Sequence, residues 1–313
     1  MSHLASFDLV ILFFVLGAFA SWMKSDLEVP DQISKFLSIF LLLSLGLKGG
    51  HEVRTAEHLF GFIPSIGIGL ASCLAVPAAL FFALRNYLGV ANASALAASY
   101  GSVSAVTFIA AKSVLEGEGI TSSGHMVAIM ALMEIPAIMV GLYFYQGSSR
   151  DGRSKRSAVL SILSTKSVVL LTGGFAIGLS MNNASWLGIA PVVQGAFKGV
   201  LAFFLLDLGL LAQKQLREAW RFKYLALLIA IGVPLCFGAA AVLAGDYFGL
   251  SHGDRVLMAV LVGSASYIAA PATVRSSMPD ANPSLYLALP LALTFPMNLL
   301  FGIPFYIELS QLL

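Results

Sequence analysis

Charged residues make up only 11% of this 313-residue chain, while apolar residues reach 58%. An ordinary soluble domain carries about 25% charge. So little polar surface cannot coat a water-soluble globule, and a mean hydropathy of +0.88 agrees. A net charge of +2 offers no cationic field for nucleic acid, and the apolar content excludes a disordered chain. Cysteine is nearly absent: Cys73 and Cys236 both lie in apolar runs and read as small buried hydrophobes, not as a disulfide. The alternation of a β-barrel strand is missing too. Runs such as 7–23, 59–84 and 224–243 are apolar with few interruptions and no alternation, so the spans are helices. No Walker A string occurs, and His51-Glu52 lacks the second His, at a spacing of four, that a zinc-protease helix needs. No enzyme is expected. MSHLASFD has no Lys or Arg before the first apolar stretch, unlike a secretory leader, so that stretch counts as a span.

What remains is an all-α integral membrane protein sitting in a lipid bilayer, with spans of about 20 residues. They fall at 7–23, 32–47, 58–84, 90–115, 124–146, 166–185, 191–212, 222–244, 255–277 and 283–310. Alternate loops carry Lys and Arg unequally. Thirteen lie on one side, including Lys24, Lys35, Arg85, Lys166 and Arg217; four lie on the other, Lys48, Arg54, Lys112 and Arg255. Positive charge marks the cytoplasmic side, so ten spans put both termini outside. The basic loop 147–157 reads first as a topology determinant, with a docking site for a regulator or anionic lipid as the alternative.

That loop divides the chain into 1–146 and 158–313, and the halves echo each other. Ser44-Leu45-Gly46-Leu47 matches Asp207-Leu208-Gly209-Leu210 at an offset of 163. Gly101-Ser102-Val103-Ser104 matches Gly263-Ser264-Ala265-Ser266 at 162, and Pro136 matches Pro296 at 160. Five spans per half is an odd number, so the halves have opposite topology: a 5+5 inverted repeat, the plan of secondary transporters.

Spans 4 and 9 are polar, small and Gly-containing at their centres, and Pro271 follows the second string. Close helix packing through small residues is one reading. The sharper one is two broken helices that cross, with half-helix N-termini meeting at mid-membrane as an anion site. The expected substrate residues are Gly101, Ser102, Ser104, Gly263, Ser264, Ser266 and Tyr267. Thr107, Glu134, Ser266 and Thr273 are expected to hold a cation, and no Lys or Arg sits at either break. An anion would therefore rely on dipoles, hydroxyls and a co-bound cation. Glu134, just before Pro136, is a cation ligand or proton carrier, or else caps a proline kink. Asp207 is read as structural, with Lys198 a plausible partner, and Lys112 as snorkelling to the outer interface.

At LGLKGGHEVR (45–54), GSVSAVTFIAAKSVLEGEGI (101–120), MEIPA (133–137) and PATVRSSMPDANPSLY (271–286) the chain resembles the sodium-dependent bicarbonate transporters of cyanobacteria, the SbtA family. The resemblance implies a gate domain from spans 1, 2, 6 and 7 and a core from spans 3–5 and 8–10. It also implies an elevator-like shift of the core, a homotrimer in the bacterial inner membrane, bicarbonate with Na⁺ where the broken helices cross, and a PII-like cytosolic regulator. The sequence departs from the family in three places. Tyr267 stands where cyanobacterial members carry Asp, Glu134 replaces an Asp, and the mid-chain loop is shorter. The function expected is import of bicarbonate by Na⁺ symport. The alternatives are a transporter of another small carboxylate coupled to Na⁺ or H⁺, and a non-transporting receptor or scaffold on the same fold.

Overall fold

The computed structural model describes residues 9–55, 62–148 and 166–313, so most of the basic loop at 147–157 lies outside the described residues. No strand occurs among the described residues. The first half comprises α1 (Leu9–Trp22), α2 (Asp31–Thr55), α3 (Phe62–Gly101), α4 (Ala105–Gly117) and α5 (His125–Ser148). The second begins with α6 (Lys166–Ser180), α7 (Asn183–Val193) and α8 (Phe197–Ala219). A helix over 223–247, α9, follows, with a π-helical middle at Leu228–Gly232. Then come α10 (His252–Val262), α11 (Ala269–Ser277) and α12 (Ser284–Gln311).

Five helical stretches among the described residues are long and apolar enough to cross a membrane: Asp31–Thr55, Phe62–Gly117, His125–Gln146, Asn183–Tyr247 and Ser284–Gln311. Two exceed a single crossing. Phe62–Gly117 has 56 residues and Asn183–Tyr247 has 65, whereas a 30 Å hydrocarbon core takes about 20. Gly89 divides the first by adopting φ 77°, ψ 163°, a conformation closed to residues with a Cβ, at the boundary expected between spans 3 and 4.

The apolar run 166–212 folds differently from the expectation of two simple spans. Asn182 stops α6 and caps the short α7, its side chain accepting from the Ser185 amide at 2.8 Å. The long helix α8 then starts at Phe197 and runs to Ala219.

Three antiparallel or parallel pairings dominate the packing: α3 with α5, α2 with α6, and α1 with α8. Glycine lets two of these pairs touch backbone to backbone. A Cβ at Gly46 would lie 2.8 Å from the Leu171 carbonyl oxygen of α6, and one at Gly17 would strike the Leu206 carbonyl of α8.

Three expectations about single residues are corrected. Lys112 does not reach an interface. Its side chain is 6% exposed and pairs with Glu52 of α2 at 3.0 Å, beside a Lys48–Glu116 pair at 2.6 Å. Asp207 is buried and one of its carboxylate oxygens has no hydrogen-bond partner, while Lys198 is exposed and forms no ion pair with it. At about 100° per residue, nine residues place the two on opposite faces of α8. Cys73 is buried, donating to the Met133 carbonyl at 3.2 Å, but Cys236 faces outward from α9; both are free thiols.

Candidate functional site

Both expected breaks are present. Between α3 and α4, residues Ser102, Val103 and Ser104 leave the helix. Ser104 is extended, at φ −104° and ψ 106°, and its hydroxyl oxygen accepts from the Thr107 amide at 3.2 Å and the Thr107 hydroxyl at 2.8 Å. It is thus the N-cap of α4. Between α10 and α11 the chain is non-helical from Gly263 to Ile268, and Ser266 Oγ accepts from the Ala270 amide at 3.1 Å.

The breaks are bonded to each other. The Ser104 amide donates to Ser264 Oγ at 3.0 Å, and the Ser266 amide donates to the Ser99 carbonyl at 2.7 Å. Neighbouring helices satisfy further freed groups. Asn298 of α12 donates to the Gly263 carbonyl at 2.8 Å, and Ser102 Oγ donates to the Glu134 carbonyl of α5 at 3.4 Å. Backbone polar groups left bare at membrane depth would each cost several kcal/mol, so these partners are what allow the helices to break. Glycine at the ends of α3 and α10 permits the approach. A Cβ at Gly101 would lie 2.8 Å from the Pro77 ring, and one at Gly263 would lie 2.8 Å from the Pro234 carbonyl.

Beside the crossing lies a cavity of about 30 Å³, lined by Ser38, Leu41 and Leu42 of α2, Val103–Val106 and Ile109, Glu134, Lys166, Phe204 of α8 and Ser266–Ala269. A water needs roughly 10–15 Å³ measured this way, so the space suits a ligand of very few heavy atoms. Of the expected substrate residues, Ser104, Ser266 and Tyr267 line it. Gly101, Ser102, Gly263 and Ser264 lie behind, where they build the crossing. Of the expected cation residues, Glu134 and Ser266 line it. Thr107 is turned to Ser104, and Thr273 donates to the Ala269 carbonyl at 3.2 Å within α11.

Tyr267 is 7% exposed and its ring tilts onto Phe295 with centroids 5.4 Å apart. Its hydroxyl lies near Ser104 but makes no hydrogen bond of ordinary geometry.

Sequence reasoning missed two polar lining residues, Ser38 and Lys166. Neither break carries a Lys or Arg, but Lys166 of α6 lines the cavity beside them, and its ammonium donates to Ser38 Oγ at 3.0 Å. In sequence Lys166 stands with the loop charges, and the signal it carries is a position between two apolar stretches, 158–163 and 168–171. In chemical terms the cavity joins amide and hydroxyl donors at two helix N-termini, an ammonium and a carboxylate. That set suits a small oxyanion with a cation close by.

No curated protein matches the chain. The family model of the Na⁺-dependent bicarbonate transporter superfamily matches it from residue 10 to residue 311. Since that match takes in both broken helices and every lining residue of the cavity, the chain belongs to the Na⁺-dependent bicarbonate transporter superfamily.

Proposed function

We propose that this chain is a secondary transporter that imports a small anion, bicarbonate foremost, by symport with Na⁺. The observation that carries the reading is the bonded crossing of two broken helices, Ser104 to Ser264, beside a cavity that takes only a small ligand. The anion sits against Ser104, Ser266 and the α4 and α11 N-termini, and Ser102 and Ser264 hold those termini in place. Na⁺ is a co-substrate held near Glu134 and Ser266; hydroxyls, carbonyls and one carboxylate are hard oxygen donors suited to it.

The halves 1–146 and 158–313 form an inverted repeat, joined by the loop 147–157. Support comes from matched packing as well as matched strings. Pro77 backs Gly101 as Pro234 backs Gly263, and the α1–α8 and α2–α6 pairings interchange when the halves are exchanged. Glu134 and Thr294 likewise occupy matching places, each two residues before a proline. Helices α2, α6 and α8 wall the cavity on one side and the crossing on the other. A rigid shift of the crossing past that wall, as an elevator, moves the ligand across the membrane. The uneven Lys and Arg distribution sets the termini in the periplasm of a bacterial inner membrane. A homotrimer and a PII-like regulator are carried by the resemblance alone.

Uptake of labelled bicarbonate into proteoliposomes, with and without an inward Na⁺ gradient, tests the proposal. Gradient-dependent uptake is expected, and equal flux in protein-free vesicles refutes it. Tyr267 favours a second reading, transport of another small carboxylate, because its apolar ring closes part of the cavity that a carboxylate occupies in cyanobacterial members. Stronger competition by formate or acetate than by unlabelled bicarbonate selects that reading.

A further inference from the structure

We propose that Lys166 is the resident counter-charge for the transported anion, acting with Ser38 as an anion-binding pair at the mouth of the cavity. The inference rests on the transport reading above and adds to it a specificity-determining residue.

Lys166 Nζ donates to Ser38 Oγ at 3.0 Å, and both residues line the cavity that Ser104, Ser266 and Glu134 share. Ser38 is 6% exposed and is therefore fixed in place. Lys166 of α6 forms no ion pair among the described residues, although Lys48 and Lys112, at the α2–α4 contact, both do. Its position is unfavourable for a cation on a further count, because the charge of Lys35 acts on it. An exposed ammonium near a second lysine, at the rim of a small cavity, adds positive potential there. A monovalent oxyanion cancels that potential.

The ammonium supplies one donor to Ser38 and keeps two for a ligand. The Ser38 hydroxyl, accepting from Lys166, turns its own proton outward as a third donor. Such a pair selects an anion over a neutral isostere, because an uncharged ligand leaves the ammonium uncompensated. Glu134, also at the cavity, serves the cation. The anion consequently arrives at a site whose positive charge is partly built in, and Na⁺ is not its sole neutraliser.

Two measurements on the full chain test this. In proteoliposomes, Lys166→Gln should raise the KM for bicarbonate about tenfold with the maximal rate within twofold, while Lys166→Arg stays within about threefold of the parent. Lys35→Gln, which removes a nearby basic residue outside the cavity lining, should leave KM unchanged. An unchanged KM in Lys166→Gln overturns the proposal, and so does an equal rise in Lys35→Gln, which would assign the effect to the general surface field. Calorimetric titration of bicarbonate, formate and nitrate into detergent-solubilised protein reads binding without transport. The tightest of the three should bind about tenfold more weakly to a Lys166→Gln protein of unchanged thermal stability. Equal binding, or no binding to the parent protein, sinks the pair as an anion site. Absent bicarbonate uptake with intact Lys166-dependent anion binding would instead refute the transport reading alone.

Discussion

Replacing Glu52 by Gln should destabilise the protein more than replacing its partner Lys112 by Met, although Lys112 is the more deeply buried of the two. The Lys112 ammonium is 6% exposed and meets Glu52 at 3.0 Å, where the glutamate side chain is 31% exposed. At an effective dielectric of about 20 the gross attraction at that distance is about 5 kcal/mol. Desolvation offsets much of it, and the partial exposure of Glu52 weakens it further. Stranding one partner of a fully buried pair costs about 3–5 kcal/mol, whereas exposed pairs contribute about 0–1 kcal/mol. Glu52→Gln leaves the buried ammonium without its carboxylate and should cost about 2–3 kcal/mol. Lys112→Met leaves an exposed-side carboxylate that still has Lys48 within 3.9 Å, so it should cost about 1 kcal/mol or less. The double variant should regain most of the Glu52→Gln loss. Lys48→Met, whose pair with Glu116 is 23% and 39% exposed, should cost under about 1 kcal/mol. Thermal unfolding in detergent, with all four variants under one protocol, ranks them. A Glu52→Gln protein as stable as Lys48→Met, or a double variant no more stable than Glu52→Gln, refutes the reasoning.

Four other substitutions address the site. Ser104→Ala and Ser266→Ala each remove an acceptor for a helix N-terminus, costing about 1 kcal/mol apiece, and each should lower bicarbonate uptake at least tenfold; unchanged uptake in both would remove these serines from the substrate site. Gly263→Ala forces a Cβ to 2.8 Å from the Pro234 carbonyl and should cost about 1–3 kcal/mol, read as lost monodisperse protein on size exclusion. Tyr267→Phe deletes a buried hydroxyl without a hydrogen bond, so stability should hold or rise by up to about 1 kcal/mol; a marked loss in the unfolding assay would mean that the hydroxyl is bonded after all.

The breaks were legible because they are written locally. Gly101-Ser102-Val103-Ser104 and its copy put small residues and hydroxyl caps where apolar helix formers should be, and the chain does stop being helical there. Gly89 was legible in the same way, as an interruption between two apolar runs. What stayed hidden depends on contacts between distant segments. Lys112 and Glu52 lie 60 residues apart, and Lys166 reaches Ser38 across 128. A basic residue near an apolar helix end looks the same in sequence whether it faces headgroups or a cavity. The short helix α7 escaped notice for a related reason: its apolar run continues that of α6, and only the Asn182 cap marks the stop. Ser102 and Ser264 show the converse error. Hydroxyls at a break suggest a ligand, yet these two are committed to carbonyl and amide partners.

The last helix carries a mechanical consequence. Along Ser284–Gln311 the hydrogen bonding lapses into π turns three times, at Ser284–Ala288, Pro290–Thr294 and Asn298–Gly302, in a segment that also contains Pro290, Pro296 and Pro304. Helix α5, its counterpart in the proposed repeat, holds Pro136 yet stays α-helical from His125 to Ser148. π turns inside an α-helix are among the recognised places where helices bend. Under the repeat proposed above, the two helices share a place but not a geometry: a regular α-helix backs the first break and a π-interrupted one the second.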